Sequence, residues 1–102
     1  MSKVYGYCRV ALKNEEEMAQ QRKMIYDYCD DKGLKVDECF CDNGVSGLKC
    51  DRSGLQRMLG VLQENDIVII KDVARLSRSI EQCMYFVEQI QEAGATLEII
   101  NI

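Results

Sequence analysis

Apolar and polar positions along the chain fall into blocks that predict strands alternating with helices. Val4–Cys8 is a short apolar and aromatic run, Val36–Cys41 is a second, and Ile67–Ile70 is continuous and β-branched. Runs of this length predict buried strands, and an unbroken apolar run is typical of a strand covered on both faces. Leu97–Ile102 predicts a fourth strand.

The segments between these strands carry helical spacing and helix-capping residues. Asn14 with Glu17 three residues later forms a capping-box pattern, and Gly33 ends the first helix. Ser53 and Ser79 predict the caps of two further helices. The resulting order, βαβαβαβ, predicts an α/β fold with a mostly parallel sheet flanked by helices, a three-layer core.

Length and hydropathy narrow the class of protein. The chain has 102 residues, which suits one small domain spanning 1–102. No apolar run approaches the roughly 18 residues that a membrane-spanning helix needs. The N-terminal segment lacks the apolar core of a signal peptide. We therefore expect a cytoplasmic protein with no membrane partner.

The cysteines do not form a recognisable metal motif. The chain has six cysteines and no histidine, and no two cysteines have the CxxC spacing. Most of them lie in apolar or alternating runs, where a free cysteine packs as a small hydrophobic residue. We expect reduced, structural cysteines, no metal site and no cofactor.

Net charge counts against DNA as a partner, but its distribution leaves the question open. The formal charge is −4, whereas affinity for DNA comes from clustered lysines and arginines. The segment Lys71–Arg78 is nevertheless locally basic.

Arginines follow the predicted strands at the positions where open parallel sheets form their sites. Arg9 follows the first strand, the polar loop up to Arg52 follows the second, and Arg75 and Arg78 follow the third. Four arginines at one sheet edge would make bidentate bonds to phosphate and stabilise charge in phosphoryl transfer. For any one of them taken singly, a solvated surface charge or one half of an ion pair is the favoured interpretation, whereas four at one sheet edge favour a site.

Other nucleotide-dependent functions lack their residues. Neither GxGxxG nor GxxxxGK[ST] occurs, which counts against dinucleotide-binding and P-loop proteins. A phosphoacceptor domain would have acidic residues after the first strand, where this chain has Arg9-Val10-Ala11.

Four short motifs resemble those of the serine site-specific recombinases, the resolvase/invertase family. They are Tyr5-Gly6-Tyr7-Cys8-Arg9-Val10-Ala11, Asp42-Asn43-Gly44-Val45-Ser46-Gly47, Asp51-Arg52-Ser53-Gly54-Leu55 and Arg75-Leu76-Ser77-Arg78-Ser79. Gln21 matches a family glutamine in the first helix. Each motif alone is weak, but their order and spacing match across essentially the whole chain.

The resemblance implies a DNA strand-exchange enzyme. In that family a serine hydroxyl attacks a DNA phosphodiester and forms a 5′-phosphoserine link, without metal or nucleotide cofactor. Arg9, Arg52, Arg75 and Arg78 fall on its catalytic arginines. Gln21, Asp42 and Ser46 fall on supporting residues. The partners implied are DNA and further copies of the chain, in a dimer or tetramer of the full-length parent.

Two positions depart from the family pattern. The nucleophile position holds Ala11, which has no atom that can attack phosphorus, so we expect the chain to be inactive as it stands. Ala74 occupies the place where many relatives carry aspartate, and Asp72 becomes the candidate acidic residue, as in transposon-type relatives with Lys-Asp-x-x-Arg. The family's long dimerisation helix and DNA-binding domain are not in these 102 residues, so we expect a catalytic core only.

Two other function classes stay open at this point. A resemblance to recombinases is also compatible with a non-enzymatic interaction or regulatory domain that keeps the fold and has lost the nucleophile. A small-molecule-binding flavodoxin-like domain is compatible with the fold alone but has no supporting motif. The resemblance does not distinguish integration, inversion and resolution of DNA.

Overall fold

The apolar runs form the strands of one parallel sheet. The computed structural model describes residues 2–44 and 53–101. Its strands are β1 (Val4–Val10), β2 (Glu38–Asn43), β3 (Ile67–Ile70) and β4 (Thr96–Ile99), in the spatial order β2-β1-β3-β4. All three strand pairs are parallel. The predicted α/β fold is confirmed.

Three helices connect the strands and cover the sheet on both faces. They are α1 (Glu15–Asp31), α2 (Ser53–Val61) and α3 (Ile80–Glu92), and a 3₁₀ turn, Val73–Arg75, follows β3. Because strand side chains alternate between faces, β1 contributes to two hydrophobic clusters. One contains Tyr5 and Tyr7 with apolar residues of α2 and α3, and the other contains Cys8 and Val10 with apolar residues of α1. No helix among the described residues is long and apolar enough to cross a bilayer.

Two of the predicted helix caps are present. The side chain of Asn14 accepts a hydrogen bond from the Glu17 amide at 3.0 Å, and that of Ser79 accepts one from the Gln82 amide at 3.4 Å. The amide of Asn14 donates to the side chain of Asn43 at 2.9 Å. Asn43 therefore performs the second half of the capping box, which the sequence pattern assigned to Glu17.

The cap predicted for α2 is wrong. Ser53 is already the first helical residue, and the Asp42 carboxylate accepts from the amides of Gly54 and Leu55 at 2.8 and 3.0 Å. The acceptor thus comes from a neighbouring strand rather than from the residue before the helix. A Cβ at Gly54 would lie 2.7 Å from the carbonyl oxygen of Cys41, so only glycine permits this close approach of helix and strand.

Three strand boundaries also differ from the prediction. The first strand extends to Val10, the second spans Glu38–Asn43 rather than Val36–Cys41, and the fourth ends at Ile99. Pairing of the first two strands continues through Arg9 with Asp42 and Val10 with Asn43. Polar residues remain in these strands because distant partners satisfy them. The fourth strand is short because it pairs only with the four residues of β3.

Candidate active site

An open cavity of about 510 Å³ lies where β1 ends and α1 begins. Three arginines line it, Arg9, Arg75 and Arg78, together with Ala11. Its remaining lining residues are Leu12, Lys13, Asn14 and Glu17. Among the described residues, four cationic side chains and one carboxylate line this cavity, which makes it basic on a chain whose net charge is −4. An anionic ligand is therefore the class that its electrostatics favour.

Arg9 is held inside the fold. It lies in β1 rather than after it, and only 1% of its surface is exposed. Its guanidinium donates from Nε to the carbonyl of Arg75 at 3.2 Å and from Nη2 to the carbonyl of Ala74 at 2.6 Å. These bonds fix the 3₁₀ turn against the end of β1.

Arg75 in turn donates a hydrogen bond to Arg9 and pairs with Asp72. Its Nη1 donates to the backbone carbonyl of Arg9, and its Nε donates to the Asp72 carboxylate at 3.1 Å. Asp72 precedes the turn that contains Arg75, so this ion pair is local and sets the direction of the guanidinium. Arg9 binds the carbonyl of Ala74, an interaction that any residue at position 74 can provide.

Gln21 fixes the backbone of Arg9 from α1. Its Oε1 accepts from the Arg9 amide at 3.2 Å, and its Nε2 donates to the Arg9 carbonyl at 3.0 Å. β3 pairs with β1 only as far as Tyr7, so Gln21 satisfies backbone groups beyond the reach of that strand. Gln21 is itself buried. It therefore positions Arg9 rather than facing the cavity.

Ala11 and Arg78 are exposed. Ala11 immediately follows β1, and Arg78 follows the turn that carries Arg75. Arg75 and Arg78 thus lie on the same side of the sheet edge as Ala11. Ser46 and Arg52, two further candidate residues, lie outside the described residues.

Asp42 has a different place from the one that its motif indicates. It is buried, and its carboxylate accepts from the Tyr7 hydroxyl at 2.7 Å as well as from the two α2 amides. It joins β1, β2 and the start of α2, the helix that directly follows Arg52. Its contribution to the site is to hold that helix in place.

Sequence reasoning did not single out Lys13, Asn14 and Glu17 as cavity residues. A signal for them was present, because they directly follow the strand that carries Arg9, at the carboxyl end where sites form. Asn14 and Glu17 fit the start of a helix equally well, and the sequence pattern was interpreted as a helix cap rather than as part of a site.

The sequence profile of the family described as Resolvase, N terminal domain matches residues 4–102. The chain belongs to the resolvase family. A resolvase from Clostridium perfringens is 36% identical over 96 residues, covering 94% of this chain and 48% of that protein. The Tn1546 transposon resolvase of Enterococcus faecium is 29% identical over 93 residues, covering 91% of this chain and 44% of that protein. The chain thus spans about half the length of these resolvases.

Solved catalytic domains of serine recombinases share the fold. The C-terminal catalytic domain of ISC1926 TnpA, an IS607-like serine recombinase, superposes with a TM-score of 0.87 at 28% identity, covering 96% of this chain and 67% of that one. The N-terminal catalytic domain of TP901-1 integrase gives a TM-score of 0.89 at 26% identity, covering 97% and 78%. This resolvase domain therefore has the architecture of a recombinase catalytic domain.

Proposed function

We propose that the chain is the catalytic core of a site-specific DNA recombinase and that it is inactive as it stands because Ala11 occupies the nucleophile position. The observation that carries the proposal is the basic cavity in which Arg9, Arg75 and Arg78 surround Ala11. A DNA phosphodiester is the anion on which the resolvase family acts. The full-length parent binds DNA and assembles as a dimer or tetramer.

The arginines suit the charge that develops in phosphoryl transfer. Guanidinium groups bind phosphate oxygens in bidentate fashion, and fixed donors stabilise a transition state without reorganising. The backbone interactions of Arg9 and Arg75 provide this fixed arrangement. Arg78 is exposed and able to meet a phosphate that enters from solvent.

The missing step is the attack itself. In a serine relative the hydroxyl gives up its proton as its oxygen forms a bond to phosphorus, the bond from phosphorus to the 3′ oxygen of DNA breaks, and that leaving oxygen takes up a proton. The methyl group of Ala11 has no lone pair with which to begin this exchange. The arginines stabilise a transition state that another group has to initiate.

Ala11 also supports one alternative function. A domain that keeps the recombinase fold without its nucleophile is suited to mixed assembly with an active relative, whose activity it would regulate. This alternative predicts that a restored serine has no effect on chemistry.

The deciding experiment restores the hydroxyl. Ala11→Ser is made in the chain extended to the parent's full length or fused to a sequence-specific DNA-binding domain. We expect a covalent protein–DNA adduct linked through residue 11, detected by denaturing electrophoresis and peptide mapping. The exposed position 11 accepts one added oxygen at little cost to folding.

Two controls define the result. Ala19→Ser adds the same hydroxyl at an exposed position of α1 and should give no adduct. Ala11→Ser combined with Arg75→Ala should lose the adduct. If Ala11→Ser binds DNA, assembles as a tetramer and still forms no adduct, the regulatory alternative is favoured and the recombinase proposal is wrong.

A further inference from the structure

Three thiols converge on the α1 side of the sheet. The sulfur atoms of Cys8, Cys39 and Cys41 all lie within 4.8 Å of one another, and those of Cys8 and Cys39 are 3.6 Å apart. All three are free cysteines. This cluster is separate from the arginine cavity, and the sequence analysis, which expected no converging thiols, missed it.

Strand register produces the convergence. β1 and β2 pair Cys8 with Cys41, and Cys39 lies two residues earlier, on the same face as Cys41. The partner of Cys39 on β1 is Gly6, and a Cβ there would lie 3.1 Å from the Cys39 sulfur. The absence of a side chain at Gly6 leaves the space that Cys39 occupies.

The spacing fits a single metal ion. A Zn–S bond of about 2.3 Å places the sulfurs of a tetrahedral site about 3.8 Å apart. The Cys8–Cys39 separation of 3.6 Å and the upper bound of 4.8 Å on all three separations lie within about 1 Å of that value. Small side-chain rotations therefore complete the site without a change of backbone.

The surroundings suit a soft divalent cation. Cys8 is fully buried among apolar residues, whereas Cys39 and Cys41 are partly exposed, so the cluster is accessible from solvent on one side. The guanidinium of Arg22, in α1, is near enough to lower the pKa of Cys41. Three thiolates and a divalent ion carry one net negative charge, which this guanidinium offsets. Thiolate ligands without histidine select thiophilic metals.

Binding exchanges protons for the metal. Hydrogen bonds from the Cys39 and Cys8 thiols, with the Arg22 guanidinium, lower the pKa of Cys41. The pKa values of Cys8 and Cys39 are raised, chiefly because the Cys8 thiol donates a hydrogen bond to Cys39 and the Cys39 thiol donates one to Cys41. Because cysteine ligates a metal as the thiolate, any of the three groups that is still protonated releases its proton to solvent as the metal–sulfur bond forms.

We propose that Cys8, Cys39 and Cys41 form a three-thiolate site for a thiophilic divalent cation of the Zn²⁺ class. The fourth coordination position is taken by water or a small exogenous ligand on the open side. The bound ion joins β1 to β2 one residue before Arg9 and Asp42. Metal binding then stiffens the base of the arginine cavity.

The test is a titration of the whole chain with Cd²⁺, which reports thiolate ligation through an ultraviolet charge-transfer band. We expect saturation at one equivalent and displacement by Zn²⁺. Since loss of groups that merely orient a ligand weakens metal binding about 10- to 100-fold, Cys39→Ser and Cys41→Ser should each weaken it about 100-fold or more. Cys29→Ala and Cys83→Ser are the controls and should leave the affinity unchanged, because both residues lie outside the cluster. Cys29 is changed to alanine because it is buried.

Folding of each variant is checked by far-ultraviolet circular dichroism, and Cys8 is changed to alanine because a hydroxyl would be buried there. X-ray absorption spectroscopy of the Cd²⁺ complex of the unaltered chain tests the site independently of any variant. Three sulfur neighbours around the ion support the proposal. Fewer than three, an absence of saturable binding, or an equal loss of affinity in Cys29→Ala or Cys83→Ser overturns it.

Discussion

Replacement of Asp42 by alanine tests whether this residue holds α2 in place. The buried carboxylate accepts three hydrogen bonds, from the Tyr7 hydroxyl at 2.7 Å and from the amides of Gly54 and Leu55 at 2.8 and 3.0 Å. Asp42→Ala removes all three acceptor interactions at once. The donors stay buried, because Gly54, Leu55 and Tyr7 are themselves inside the fold.

The expected loss of stability is large for a domain of this size. A buried donor left without its partner costs about 1–3 kcal/mol. Because some donors will recover a water molecule, three of them give a total of about 3–6 kcal/mol. Small domains have unfolding free energies of about 5–15 kcal/mol, so Asp42→Ala should remove a large part of the total. Asp42→Asn keeps one acceptor oxygen, so its unfolding free energy should lie between those of the unaltered chain and Asp42→Ala.

Urea unfolding followed by circular dichroism measures this effect. Asp27→Ala is the control, because Asp27 pairs with Lys23 at 2.8 Å on the exposed face of α1. Such an exposed pair contributes little to stability because solvent screens it. A double-mutant cycle with Tyr7→Phe isolates the hydroxyl contact. If Asp42→Ala costs no more than Asp27→Ala, the capping role assigned to Asp42 is wrong.

Two further predictions concern the hydrogen bonds that hold the backbone of Arg9 and the binding of DNA at the cavity. Gln21→Ala leaves the amide of Arg9 without its acceptor, whereas the carbonyl of Arg9 keeps Arg75 as a donor, so the change should cost about 1–3 kcal/mol in urea unfolding. An equal effect of Gln20→Ala, on the exposed side of α1, would contradict this. The chain should bind DNA weakly, without sequence preference and with strong salt dependence. Arg78→Ala should weaken this binding, whereas Lys35→Ala, a change of a residue before β2, should not. Nanomolar, site-specific binding in a gel-shift titration at physiological salt would refute this prediction.

The sheet and helices could be predicted because their signals are local. Apolar runs such as Ile67–Ile70 and caps such as Asn14 and Ser79 depend on residues close in sequence. The edge at which the arginines meet also followed, since parallel strands place their carboxyl ends together. Their catalytic roles remain a prediction.

What the sequence did not predict depends on contacts between distant residues. Arg9 is polar and was placed after the first strand, yet it lies within β1 because carbonyls 65 and 66 residues away accept its hydrogen bonds. Asp42 is also polar and was therefore placed in a loop, yet it lies within β2. The thiol cluster required the register of β1 and β2, which spacing along the chain does not encode.

The arginines differ in what their presence says about function. Arg9 and Arg75 hold each other's backbone, with Gln21 and Asp72 in support, so a domain that had lost all chemistry would still need them to fold. Their presence therefore does not separate a recombinase from an interaction domain. Arg78 is exposed and lines the cavity without being built into the sheet. Folding gives it no comparable reason to be an arginine, whereas a phosphate at the cavity does, so Arg78 is the residue whose substitution distinguishes the two functions.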